Sequence, residues 1–204
     1  IDSIVALKRS DQFIESICSF IKQMLIDRLH VIGDIFDRGP KAAEVMELLK
    51  SHHAADIQWG NHDIIWMGAA CGNKFDVAEV IRLTARYGSL DTIEDDYGIN
   101  LMPLITFAIT TYENDPAVPF IPKGTKPENY SDANVRLMTM IHKAIAVISF
   151  KLEGQLVMRN PDFDMSHRLL LDKIDYEKGT IFIDGADYPL KDYYFPTIDP
   201  KNPY

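Results

Sequence analysis

The chain has little cysteine: Cys18 and Cys71 are the two among 204 residues. So few, so far apart, exclude a disulfide framework and a zinc knuckle, and a reducing cytoplasm is the default compartment. Cys18 lies on an apolar helical face and is expected in the core; Cys71 stands in Ala-Ala-Cys-Gly. There is no apolar run of the roughly 18 residues that a membrane-spanning helix needs, and no signal-peptide pattern. Basic residues are in deficit, with 21 Lys and Arg against 30 Asp and Glu and a net charge of −9. That argues against a nucleic-acid-binding surface, which usually needs a basic patch. It does not exclude a phosphorylated substrate, because bound metal ions and one arginine reverse the field locally. Internal repeats and low-complexity tracts are also missing. What is present is 47% hydrophobic residues, enough for one ordered domain with or without an appendage.

The chain is organised around the stretch from Leu29 to Asp63. Two short apolar runs each end in glycine followed by polar side chains. Leu29, Val31 and Ile32 lead to Gly33-Asp34, and Ile57 and Trp59 lead to Gly60-Asn61-His62-Asp63. Short runs of this kind read as buried strands. Strand, turn, helix, strand is a βαβ unit with parallel strands, and in such sheets functional groups collect at the carboxyl ends. Asp34 is a hard oxygen ligand, Asn61 offers an amide oxygen, His62 an imidazole, and Asp37 a carboxylate able to orient it. Arg38 is a fixed fork of donors suited to phosphate. Oxygen-rich sets with some imidazole suit manganese, magnesium, iron or zinc. Asp63 has two readings, a helix cap before Ile64 or a catalytic carboxylate.

Gly33–Arg38 and Gly60–Asp63 resemble two signature blocks of the calcineurin-like metallophosphoesterases, Gly-Asp-x-x-Asp-Arg and Gly-Asn-His-(Asp/Glu), separated by one helix as that family requires. The resemblance implies two divalent ions about 3.5–4 Å apart. It implies that Asp34 bridges them and that Asn61 ligates one. His62 then protonates the leaving oxygen or stabilises its charge, Asp37 holds that histidine, and Arg38 clamps the phosphate. The family's upstream Asp-x-His block has no match, since Asp27-Arg28-Leu29-His30 has the wrong spacing, and no Gly-His dipeptide occurs downstream. His142 lies in a helical pattern and His167 after a proline-led loop. With Ile1 at the start, the expectation is an interior fragment of a longer enzyme that alone binds metal poorly and is inactive.

Along the chain, Ser10 reads as an N-cap of a helix with Phe13, Ile14, Ile17, Phe20, Ile21, Met24 and Leu25 on one face, packed on the sheet. Pro40 suits the first turn of a second helix, which ends near His52-His53. Those adjacent histidines point about 100° apart in a helix and make a poor chelate. Residues 64–72 predict a helix buried on most sides, and Gly72-Asn73 its stop. Phe75–Tyr87 predicts another, with Val77, Val80, Ile81 and Leu83 inward and Arg82, Arg86 and Lys74 as solvated charges rather than phosphate ligands. Tyr97–Asn100 reads as a turn, and Leu101–Tyr112 as an apolar helix. Residues 113–131, with Pro116, Pro119, Pro122, Gly124 and Pro127, read as a connector. A long helix opens at Ser131-Asp132 and is barred by Pro161. Leu169–Tyr176 and Thr180–Asp184 predict a β-hairpin around Glu177-Lys178-Gly179, with a second turn at Gly185–Asp187. Phe195–Pro203 reads as an extended connector.

Longer stretches carry a narrower resemblance. Asp56–Ala70, Ala85-Arg86-Tyr87, Ile93-Glu94-Asp95 with Tyr97–Leu101, Phe150–Gln155 and Phe195–Pro200 resemble the bacterial class 3 fructose-1,6-bisphosphatases over nearly the whole chain. This implies hydrolysis of fructose 1,6-bisphosphate to fructose 6-phosphate and phosphate in gluconeogenesis, with manganese as the usual metal. It implies a small phosphorylated sugar as partner, no nucleic acid, no membrane and a cytoplasmic location, with oligomerisation open. The alternatives are a protein serine/threonine phosphatase, a dinucleoside polyphosphate hydrolase, or a non-catalytic structural fragment. The expected fold class is α/β: a partial calcineurin-like metallophosphoesterase sandwich with a helix-rich insertion and a C-terminal β-hairpin. Its expected parts are a partial core with helical extension over 1–112, the connector over 113–131, and a long helix, hairpin and extended tail over 132–204.

Overall fold

The computed structural model describes residues 2–123 and 131–204; Gly124 and Pro127 of the expected connector lie outside the described residues. Internal contacts divide the chain into two units, Ile1–Asp63 and Ile64–Tyr204.

The first unit runs α1 (Asp2–Ala6), α2 (Ser10–Leu25), β1 (Leu29–Val31), α3 (Ala42–Ser51), β2 (Ala55–Ile57) and the opening of α4 (Asn61–Ala70). β1 and β2 are parallel, with His30 opposite Asp56 and Val31 opposite Ile57, so the expected βαβ unit forms. Ser10 is the first helical residue of α2 and not its cap; Arg9 holds the cap position and makes no side-chain bond there. The face of α2 was expected on the sheet, yet none of its residues is buried, and Phe20 is 61% and Leu25 79% exposed. Two strands of three residues each offer no surface wide enough to cover a helix of 16 residues. Cys18 is exposed for the same reason, against the expectation of a core position. Pro40 precedes the first turn of α3, where Lys41 takes the cap position. His52 and His53 follow that helix with their rings stacked at 4.6 Å, as an exposed helix end and not a chelate.

The second unit holds the rest of α4, α5 (Lys74–Tyr87), α6 (Asp91–Asp95), α7 (Met102–Tyr112), α8 (Asp132–Arg159) and three strands, β3 (Ile174–Asp175), β4 (Thr180–Ile183) and β5 (Ala186–Pro189). Asn73, expected to stop one helix, caps the next, its side chain accepting from Phe75 N and Asp76 N. Ser131 caps α8 in the same way, accepting from Asn134 N. From Thr139 to Val147 every residue of α8 is buried, which makes it the central element of the unit. α5 and α7 pack on it where Ala85, Ala108 and Ala144 are all fully enclosed; such small side chains let helix backbones approach closely. α4 contributes Ile65, Trp66 and Ala69 to a second cluster around Val80, Ile93 and Leu101. It is less buried than expected, because its other face leaves Ile64 58% and Met67 44% exposed. Val77, expected inward, is also exposed.

The C-terminal sheet is a three-stranded antiparallel meander, β3-β4-β5, where a hairpin was expected. The first expected strand shrinks to two residues, because Ser166–Arg168 and Leu171–Lys173 coil into 3-10 turns. Asp175 ends it by accepting from Glu177 N at 3.1 Å and Lys178 N at 2.9 Å, a side-chain mimic of a backbone turn. The tail is not a free connector: Ile198 is buried with Val147 and Leu171, and Phe195 and Tyr204 pack beside them. Among the described residues no helix is long and apolar enough to cross a membrane.

Candidate active site

β1 and β2 deliver two glycines back to back. A Cβ on Gly33 would lie 2.5 Å from Gly60 N and 2.6 Å from Gln58 O, and a Cβ on Gly60 would strike the Asp34 carboxylate. Only glycine lets the two loops approach so closely. Beyond Gly33, at φ +87°, Asp34 is itself left-handed at φ +53°. Non-glycine residues persist there only when their surroundings over-determine them.

Those surroundings are hydrogen bonds from the second loop. Asp34 Oδ1 accepts from His62 N at 3.1 Å. Asp34 N donates to Asp63 Oδ2 at 2.6 Å, Gly60 N to the same oxygen at 2.8 Å, and Phe36 N to Asp63 Oδ1 at 3.1 Å. Asp63 is 1% exposed, in the first turn of α4. Asp37 Oδ1 lies 3.0 Å from His62 Nε2 and takes Arg38 Nε at 2.9 Å. His62 Nδ1 is buried with no hydrogen-bond partner. The carboxylate therefore fixes the orientation of the ring through Nε2. Asn61 opens α4 and is exposed, one residue before the His62 amide that Asp34 accepts.

The structure thus brings Asp34, Asp37, Arg38, Asn61 and His62 to one loop pair. Asp34 and Asn61 are hard oxygen donors of the kind that manganese or magnesium takes. They fit such an ion in kind and form only part of a ligand set: among the described residues no group of three or more His, Cys, Asp or Glu could hold a metal. His30, the histidine upstream, points at Asp56 across the sheet at 3.0 Å.

The family model for Firmicute fructose-1,6-bisphosphatase matches residues 1–204. The chain belongs to that family. It is 53% identical over 204 residues to the fructose-1,6-bisphosphatase class 3 of Clostridium novyi (strain NT), covering 100% of this chain and 30% of that protein. The namesake of Bacteroides thetaiotaomicron is 52% identical over 205 residues, and that of Listeria innocua serovar 6a is 51% identical over 201, each with 31% of its length covered. The chain therefore spans about 30% of the relatives it matches. No solved structure matches it.

Elsewhere in this fructose-1,6-bisphosphatase family member, the other sequence candidates serve packing. Arg82 pairs through two nitrogens with Glu79, at 2.7 and 2.6 Å, in place of a solvated charge. Burial pushes the Glu79 carboxyl up, but the bonds from Arg82 and Ser149 outweigh it and hold the group below its ordinary range. His142 is buried with Nδ1 2.7 Å from the Phe120 carbonyl. Because a carbonyl only accepts, that nitrogen carries the proton. Lys143, fully enclosed, bonds Asp115 and, at 2.7 Å, both oxygens of Asp192. Sequence reading gave Lys143 no partner, because the partners stand 28 and 49 residues away. Asp63, left open between cap and catalyst, could have been read from its place three residues after Gly60, where an acidic side chain reaches back to the cap amide.

Proposed function

We propose that this chain is the phosphate-handling part of a longer fructose-1,6-bisphosphatase of calcineurin-like fold. The full-length protein then removes the 1-phosphate of fructose 1,6-bisphosphate, in the cytoplasm and in gluconeogenesis. The observation that supports this is identity above one half, across the whole chain, to proteins named fructose-1,6-bisphosphatase class 3. The loop pair agrees with it, since all five motif side chains converge there.

Asp34 and Asn61 would hold two divalent ions, manganese in the first instance, together with ligands from outside this chain. When bound, such ions supply Lewis-acid polarisation of the phosphoryl group and an activated water. Arg38 grips the non-bridging oxygens, where charge collects as the phosphoryl group transfers. His62 gives a proton to the departing sugar oxygen, and the Asp37 carboxylate keeps its ring oriented. Nothing in the loops selects a sugar, so the substrate rests on the relatives.

Phosphate release by the full-length protein with manganese tests the reading. The panel is fructose 1,6-bisphosphate, a phosphoserine peptide and a dinucleoside polyphosphate, with the 204-residue chain run alongside. Preference for the sugar and a silent short chain are expected. Preference for the peptide or the dinucleotide would keep the metal site and discard the substrate.

A further inference from the structure

We propose that Asp63 is a positioning residue: its buried carboxylate ties the loop carrying Asp34 to the loop carrying Asn61 and His62, and so sets the spacing at which both loops meet metal and phosphate. The inference rests on the proposed phosphatase site and assigns a residue that does not itself touch metal or substrate. One carboxylate accepts three backbone N–H groups, two from the first loop (Asp34, Phe36) and one from the second (Gly60). The bond to Gly60 alone is an ordinary first-turn cap. The bonds to Asp34 and Phe36 are not part of any helix, and they reach across 29 and 27 residues of chain. The first of them starts at Asp34 itself, the residue whose left-handed backbone sets the direction of its own side chain. In return, Asp34 Oδ1 takes the amide of His62, so the two loops hold each other through both acids. A carboxylate accepting several buried backbone amides is a strong, charge-assisted tie. At 1% exposure it is closed to solvent.

An asparagine at this place keeps the shape and removes one acceptor. It can satisfy Asp34 N and Gly60 N with its oxygen, but then turns its NH2 against Phe36 N–H. In the full-length protein, D63N is expected to raise the manganese dissociation constant by about 10–100-fold, the range seen when groups behind metal ligands are removed. Turnover should fall at limiting metal and recover substantially at saturating metal, with KM little moved. The amides of Asp34, Phe36 and Gly60 should exchange hydrogen faster, while exchange in α5 and α8 stays as in the unaltered protein. A role confined to stability would speed exchange throughout and leave metal affinity of the folded protein alone. Should D63N not fold, exchange in the unaltered, metal-free protein decides: these three amides should be protected well beyond that of the nearby exposed Gly39. Manganese affinity and exchange rates unchanged in D63N, or unprotected amides in the unaltered protein, would overturn the proposal. Metal titration and exchange need no substrate, so they read the tie even if fructose 1,6-bisphosphate is not hydrolysed.

Discussion

His62 Nε2 sits 3.0 Å from the Asp37 carboxylate, while its Nδ1 is buried and unpartnered. In the proposed mechanism the Asp37 contact orients the ring and His62 serves as the general acid. In the full-length protein, His62→Asn is expected to lower kcat by about 10²–10⁴-fold, the usual worth of a positioned general acid. Manganese affinity should change far less. Steady-state kinetics beside calorimetric metal titration makes the comparison, and unchanged turnover would remove His62 from the chemistry.

Asp34→Asn leaves an oxygen to accept the His62 amide, so the loops should keep their shape. What goes is the negative charge and one metal-capable oxygen. Activity is expected to drop to background with circular dichroism unchanged. Retention of turnover at saturating manganese would show that this carboxylate bridges nothing.

Lys143 is enclosed by the carboxylates of Asp115 and Asp192 and by the rings of Tyr112, Phe120, Tyr194 and Phe195, whose centroids lie 5.2–5.7 Å from its ammonium. Lys143→Met strips the cation and leaves two buried anions facing each other. The expected loss is about 3–5 kcal/mol in urea unfolding. Adding Asp115→Asn and Asp192→Asn to it should recover much of that loss, because the uncompensated charges are then gone. Lys143→Met as stable as the unaltered protein would refute the ion cluster.

His142 gives a pH dependence of known sign. Burial pushes its imidazole below the ordinary value, against the bond to the Phe120 carbonyl, and the charges of Arg82 and Arg86 push the same way as burial. The unfolded chain therefore takes up the proton first. The contribution of His142 to stability is complete above about pH 6.5 and is lost as pH falls below it toward the folded value. His142→Asn keeps an N–H for the carbonyl and does not titrate. Its urea midpoint should fall less between pH 7.5 and 5 than that of the unaltered protein, and parallel curves would exclude His142 as the cause.

The loop pair was legible because glycine and the metal-capable side chains lie within a few residues of each strand end. Helix positions were legible where apolar period and cap coincided, as at Ser131, whereas Asn73 was read as the stop of one helix and in fact caps the next. What could not be read was anything set by distant sequence. The face of α2 has helical period, yet none of its residues is buried. The strand expected from Leu169 has β-branched and aromatic residues, yet packing around Leu171 and Tyr204 coils it. Phe195–Pro203 is indeed too rich in proline for regular structure, but its docking on Val147 depends on the place of α8 and not on local sequence.

The place of Lys143 has a consequence for the order of assembly. Its carboxylates arrive from opposite directions along the chain, 28 residues before it and 49 after. Closing helices over an ammonium with only part of its counter-charge is costly, so full burial of the centre of α8 is expected to need both Asp115 and the segment around Asp192. The segment around Asp192 thus completes a core begun by helices that precede it in the unit, and the folding barrier carries the entropy of closing that loop.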